Sequence, residues 1–157
     1  MEYVIREIKT NEYHLLDDFL YNAIFIPQGV EPPPKDIIKN EELQVYIEDF
    51  GKQRGDFALV AEVGGEVVGA VWARIMNDYG HIDDDTPSLA ISLYKEFRDY
   101  GIGTDMMRSI LSLLRDKGYK RASLAVQKAN CAVKMYSKVG FTIVDENAEE
   151  YIMACEL

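Results

Sequence analysis

The most restrictive feature of the chain is a passage from an apolar run, Leu89-Ala90-Ile91-Ser92-Leu93, through Arg98-Asp99-Tyr100-Gly101-Ile102-Gly103-Thr104, into an amphipathic segment opening near Gly103. Locally this is a strand, a glycine turn and a helix start. The two glycines permit positive φ and a close approach of backbone to a ligand. The first N–H groups of a helix lack partners within it and lie at the positive end of its dipole, so the junction suits an anion. Arg98 adds a planar fork of donors matched to phosphate oxygens. The local physics points to a phosphate or diphosphate, with a plain glycine-capped turn as the alternative. Two nucleotide motifs do not fit. Met106 stands where the third glycine of GxGxxG falls, and no Lys-Ser/Thr pair follows Gly103 as a Walker A loop requires.

The flanking sequence supplies a sheet and helices for this junction. Residues 4–8 read as a first strand, and Thr10 as the cap of a helix burying Tyr13, Leu16, Phe19 and Leu20 and ended by Pro27. Residues 28–34 include Pro32-Pro33-Pro34 and must run extended, because each ring fixes φ and disfavours a helical predecessor. The spacing of Ile38, Leu43, Tyr46, Ile47 and Phe50 predicts a second helix over 36–49. Gly64-Gly65 joins two almost continuously apolar runs, 57–63 and 67–73, which predicts a hairpin covered on both faces. A polar, acidic loop occupies 77–85. A third helix is expected over 103–117, burying Met106, Met107, Ile110, Leu111, Leu113 and Leu114 and ending at Gly118. Residues 122–126 read as a buried strand, 129–138 as a fourth helix stopped by Gly140, and 141–144 with 151–155 as a terminal antiparallel pair. Strands alternating with helices in this way imply an α/β fold.

A chain of 157 residues is one domain by size, spanning 1–157. No apolar run approaches the roughly 20 residues of a membrane span, and residues 1–6 lack the basic flank and apolar centre of a signal peptide. A cytoplasmic location is therefore expected. The 17 basic and 27 acidic residues give a net charge of −10. That field repels nucleic acid and attracts cations, favouring an amine-bearing substrate, although the same charge also serves solubility. Cys131 and Cys155 are too few for a disulfide framework or a zinc pattern, and neither histidine adjoins a cysteine, so no metal is expected.

Arg98-x-x-Gly101-x-Gly103, preceded by Leu93-Tyr94-Lys95-Glu96-Phe97, resembles the acetyl-CoA signature of the GNAT N-acetyltransferase superfamily. Further on, Ala125-Val126-Gln127-Lys128-Ala129-Asn130, then Ala132, Tyr136, Gly140 and Phe141, resemble that family's second block: a strand, an Asn, a helix carrying Tyr, and Gly-Phe. The resemblance covers about Phe57 to Phe141. It implies a single-domain mixed, mostly antiparallel sheet of about seven strands flanked by four helices, with a splayed central strand pair. It also implies acetyl-CoA as donor, CoA as product, and a small-molecule or peptide amine as acceptor. Its relatives are often dimers, so a homodimer is open by analogy alone, the sequence itself not fixing the oligomeric state.

Acyl transfer from a thioester to an amine requires four things. The donor must be held, its carbonyl polarised, a neutral amine presented, and the departing thiolate protonated. Under the resemblance, the amides of Tyr100, Gly101, Ile102, Gly103 and Thr104, with Arg98, hold the diphosphate. Ile91 and Leu93 on the splayed strand bond the pantetheine as an added strand would, the Ile91 amide facing the acetyl carbonyl; ordinary ladder amides are the alternative. Asn130 reads as a helix cap, a pantetheine contact, or both. Tyr136 matches the family's general acid, a phenol of ordinary pKa near ~10 placed for a thiolate whose thiol titrates near ~8.5; a packed core tyrosine is the alternative. Many relatives carry a Glu on the signature strand, and this chain has none there. Asp83, Asp84, Asp85, Asp78 and His81 in the preceding loop, or ordered water, are the candidate bases, a solvated acidic surface being the other reading. Cys131 follows Asn130 and is expected as a free core-facing thiol, a place near the bound thioester being the alternative; it is not assigned as a nucleophile. A CoA-binding sensor or partner-binding domain without catalysis also fits, on the missing strand carboxylate. A nucleotide-binding module is opposed by the two absent motifs.

Overall fold

In the computed structural model, which describes residues 1–157, the apolar runs become seven strands: β1 (Val4–Glu7), β2 (Phe57–Val63), β3 (Glu66–Arg74), β4 (Ser88–Leu93), β5 (Arg121–Gln127), β6 (Thr142–Glu146) and β7 (Glu150–Glu156). They form one sheet in the order β1-β2-β3-β4-β5-β7-β6. Every neighbouring pair is antiparallel except β4 and β5. The β2–β3 hairpin turns through Gly64 and Gly65 at φ 58 and 83, a conformation glycine adopts without steric cost. The expected mixed, mostly antiparallel sheet is present, with helices α1 (Leu15–Ala23), α2 (Glu41–Gln44), α3 (Ile102–Asp116) and α4 (Ala132–Lys138). No helix is long and apolar enough to cross a membrane.

Two apolar clusters explain why the central strands show little alternation. On one face, Ile102, Met106, Met107, Ile110 and Leu114 of α3 pack on Leu59, Val71, Leu89, Leu93, Leu124 and Val126. On the other, Leu16, Phe19 and Leu20 of α1 join Ile47 and Phe50 over Ala58, Val60, Ala70 and Trp72. Strands covered on both sides lose the polar half of the period-two pattern. Leu113 is only partly buried, at the rim of the α3 stripe.

The second helix expected over 36–49 is broken. Residues Lys35–Lys39 form a 3-10 turn, Asn40 is extended at φ −62 and ψ 142, and only Glu41–Gln44 is α-helical before turns lead on to Gly51. Past Gln44 the run is tied to β3. Arg74 Nη1 donates to the Val45 carbonyl at 3.2 Å, and Trp72 Nε1 donates to the Tyr46 carbonyl at 3.1 Å. Carbonyls engaged by side chains beneath them are withdrawn from an α-helical ladder. The N-terminal helix likewise starts late. Thr10–Glu12 is a 3-10 turn, the Lys9 N–H donates to Glu12 Oε1 at 2.9 Å where a Thr10 cap was expected, and Tyr13 lies outside α1. That helix ends at Ala23, four residues before Pro27. The fourth helix starts at Ala132 and not at 129.

What matters most for function is the contact between β4 and β5. Their parallel pairing consists of Ser88 opposite Ser123, with the Ser123 N–H donating to the Pro87 carbonyl at 2.9 Å. Beyond that pair the strands part toward their C-terminal ends. The Tyr94 N–H donates to Val68 in β3. Since successive residues of a strand direct their N–H groups to opposite edges, those of Ile91 and Leu93 face the opening. The splayed pair expected from the resemblance is present.

Candidate active site at the parted strands

The opening is continuous with the turn that leads into α3. A short 3-10 turn, Lys95–Phe97, is followed by Asp99 at φ 68 and Gly101 at φ 84. A side chain at Gly101 would meet nothing within 4 Å, so the glycine serves the left-handed turn and not internal crowding. At Gly103 a Cβ would lie 3.5 Å from the Met135 sulfur, an ordinary contact. Asp105 N–H donates to the Gly101 carbonyl, which leaves the N–H groups of Ile102, Gly103 and Thr104 as the unpartnered first turn of a 15-residue helix. Tyr100 and Arg98 are exposed beside it.

Arg98 does more than project into solvent. Its Nε donates to the Leu93 carbonyl at 2.9 Å, and Asn22 Nδ2 reaches the same oxygen at 3.3 Å. The guanidinium is thereby fixed at the end of β4, and its two terminal nitrogens have no protein partner. A fixed fork with free donors loses little freedom on meeting an anion.

Across the opening, Asn130 precedes α4, and its Oδ1 accepts the Ala132 N–H at 2.9 Å. The cap is therefore present, while its amide nitrogen has no partner in the chain. Tyr136 is 8% exposed, and its ring meets Phe141 edge to face at 6.1 Å. Its hydroxyl makes no hydrogen bond, yet it is not among the sealed polar atoms; the His81 Nδ1 atom is. Burial, helped by nearby Cys131, pushes the phenol up to about 12; that cysteine is exposed and not core-facing as expected. The proton is thus retained at neutral pH. A buried ring with an open, unpartnered oxygen has the form of a donor awaiting a ligand.

The loop before β4 sorts the candidate bases. Asp83 is occupied: it accepts from Thr86 Oγ1 at 2.8 Å and Arg121 Nη2 at 2.8 Å, which holds its carboxyl below the ordinary range. Asp84 and Asp85 are over 90% exposed, beside His81 and Arg54 respectively. Asp78 is different. Its Oδ1 accepts from Ser88 Oγ at 3.1 Å and its Oδ2 from Tyr46 at 3.0 Å, at the point where β4 and β5 part. Ser88 and Ser123 hydroxyls lie 3.3 Å apart, and Ser123 donates to the Gly80 carbonyl at 2.8 Å. Sequence reasoning placed Asp78 among the candidate bases of the loop but could not set it apart from the others, because no local pattern ties it to Tyr46 or Ser88.

Residues 20–141 match the acetyltransferase (GNAT) family. The chain belongs to that family, whose enzymes take their acyl group from acetyl-CoA. An N-alpha-acetyltransferase of Sulfurisphaera tokodaii is 26% identical over 135 residues, covering 76% of this chain and 80% of that protein. The probable N-acetyltransferase camello of Xenopus tropicalis is 33% identical over 85 residues; that match covers 52% of this chain and spans 36% of the relative's length. The PaiA N-acetyltransferase of Thermoplasma acidophilum, solved in complex with coenzyme A, matches over the full length of both chains with a TM-score of 0.73 at 17% identity. This last likeness is one of fold.

Proposed function

We propose that the chain is an N-acetyltransferase that moves the acetyl group of acetyl-CoA to a primary amine, either a small cationic amine, an amino acid or a peptide amine, by direct attack. The reading rests above all on the parting of β4 from β5 beside the α3 turn, which leaves strand amides and helix-start amides facing one opening. The residues suit the donor. Tyr100 to Thr104 and Arg98 offer donors for a diphosphate; Ile91, Leu93 and Asn130 offer backbone and amide groups for the pantetheine; and the Ile91 amide polarises the thioester carbonyl. Tyr136 gives its proton to the sulfur as the C–S bond breaks. No covalent enzyme intermediate is needed, so Cys131 has no part as a nucleophile. A cytoplasmic setting, which keeps both free cysteines reduced, suits this reading.

Incubation with acetyl-CoA and a panel of amines, followed by detection of free thiol, tests this. Amine-dependent thiol release is expected. Calorimetric binding of CoA without release for any amine would favour a sensor or partner-binding domain, a reading that draws on the absence of a carboxylate from β4 and β5.

A further inference from the structure

The face of the sheet away from α3 carries a carboxylate that the sequence reading did not select. In β5, Ala122, Leu124 and Val126 belong to the α3 cluster, so Ser123, Ala125 and Gln127 face the α1 and α2 side. Residues directly opposite in an antiparallel pair share a face. Glu150 stands opposite Gln127, Ile152 opposite Ala125 and Ala154 opposite Ser123, which puts Glu150 on that side, at the wide end of the opening. The turn before it fixes its backbone: Asn147 Oδ1 accepts the N–H groups of Glu149 and Glu150 at 2.8 and 2.7 Å, and the Asn147 N–H returns to the Glu150 carbonyl. The Glu150 carboxylate is half-buried and has no hydrogen bond or ion pair.

Asp78 lies on the same face. Gly80, two residues on, sits directly over the β5 backbone, where a Cβ would come 3.2 Å from the Ala125 N. On this face β5 presents Ala125, two residues before the Gln127 that opposes Glu150, and β4 presents Ala90; both are small and partly exposed. Tyr136, nine-tenths buried with its hydroxyl unpartnered, belongs to the cluster on the opposite face of the sheet.

We propose that Glu150 is the catalytic base, taking a proton from the acceptor ammonium above Ala125, and that Asp78, pinned by Tyr46 and Ser88, is the positioning carboxylate across from it. The assignment rests on the acetyltransferase reading and deepens it. The division of roles follows from hydrogen bonding. Both oxygens of Asp78 are engaged by hydroxyls, whereas those of Glu150 are free to accept. Burial and the neighbouring Glu149 and Asp78 hold the Glu150 carboxyl above its ordinary value, which brings a base nearer the pH at which it works. The other charged and titratable groups around it are Tyr46 in the turns after α2, Tyr79 in the loop, and Lys128, Asp145 and Glu146 beside β7. Lys128 is turned to Glu146 at 3.2 Å and lies over the Tyr151 ring, so no cation neutralises Glu150. Tyr46, pushed far above its ordinary value by burial and by Asp78, stays a donor.

The step balances as follows. Glu150 accepts one proton from the ammonium, and the neutral amine bonds to the thioester carbonyl carbon as the C–S bond breaks. Tyr136 protonates the sulfur, the second nitrogen proton restores the phenol through solvent, and Glu150 releases its proton to solvent. The acceptor class is a primary amine whose cation is drawn between two carboxylates.

The test measures kcat/KM against pH for the best amine of the panel, with calorimetric CoA affinity as the control for fold and donor site. Glu150→Gln is expected to lower kcat/KM roughly 10²-fold at neutral pH and to abolish the acidic limb, with CoA affinity within about twofold of the parent. Glu150→Asp is expected to recover part of the rate and to restore the limb. Asp78→Asn removes a like charge, so the acidic limb is expected to move to lower pH, an effect that a merely structural role would not produce. A Glu150→Gln enzyme with an unchanged profile overturns the assignment and leaves the acetyltransferase reading standing. A parent protein that binds CoA but acetylates no amine overturns both.

Discussion

Replacing Tyr136 by Phe is expected to lower kcat by roughly 10²-fold or more while CoA affinity stays within about twofold, as read by stopped thiol-release assays and calorimetry. The change removes one oxygen from a ring that is otherwise held by packing, including the edge-to-face contact with Phe141. That oxygen has no partner inside the chain, so no buried group is left unsatisfied and the fold should be indifferent. The pH dependence carries a separate check. A phenol raised to about 12 keeps its proton below that value and loses it only above. Turnover limited by this donor should therefore show no alkaline decline near pH ~10, where an ordinary tyrosine titrates. A decline there would show a phenol that burial does not shift, and turnover unchanged in the Phe variant would remove Tyr136 from the mechanism.

The largest effect on stability is expected at Asp56. Its two oxygens receive Arg74 Nε and Nη2, both at 2.9 Å, with side-chain exposures of 2% for Arg74 and 0% for Asp56. Asp56 Oδ2 also accepts the N–H groups of Gly51 and Gln53. Arg74 completes the unit by donating to the Val45 carbonyl and lying 5.2 Å from the centre of the Phe50 ring. One ion pair thus anchors the irregular run after α2 to the end of β3. Asp56→Ala would leave a guanidinium buried without its counter-charge, a change that costs about 3–5 kcal/mol. In a domain of this size that corresponds to a loss of roughly 10 °C in Tm. Thermal melting with a shift below about 2 °C would contradict this picture of the pair.

The sequence made the strands, the hairpin and the α3 junction legible because each has a local cause: a period of two or its loss, a Gly-Gly turn, an amphipathic stripe beginning at a glycine. The family resemblance extended this to the parted strands, since the residues of its two blocks are contiguous. The broken second helix was not legible. Ile38, Leu43, Tyr46, Ile47 and Phe50 have helical spacing, but the decisive groups are Trp72 and Arg74, which lie on another element and take two of its carbonyls. The same limitation hid Glu150 and the use of Asp78. Glu150 follows a second glutamate in a polar turn, and only the register of β7 against β5 places it beside the opening. Asp83, one of several candidate bases in the sequence, has its capacity taken by Thr86 and by Arg121, which is distant in sequence.

Because one pair of serines is all that stitches β4 to β5, the sheet is in effect two ribbons, four strands and three, meeting at a seam. Along most of that seam the backbone of β4 faces no rung. A chain-like donor lying there would supply the absent rungs and lace the ribbons together, so its free energy of binding would add directly to the resistance of the whole domain to melting. Saturating CoA at 100 times its Kd is accordingly expected to contribute about 2.7 kcal/mol, visible as a rise in Tm.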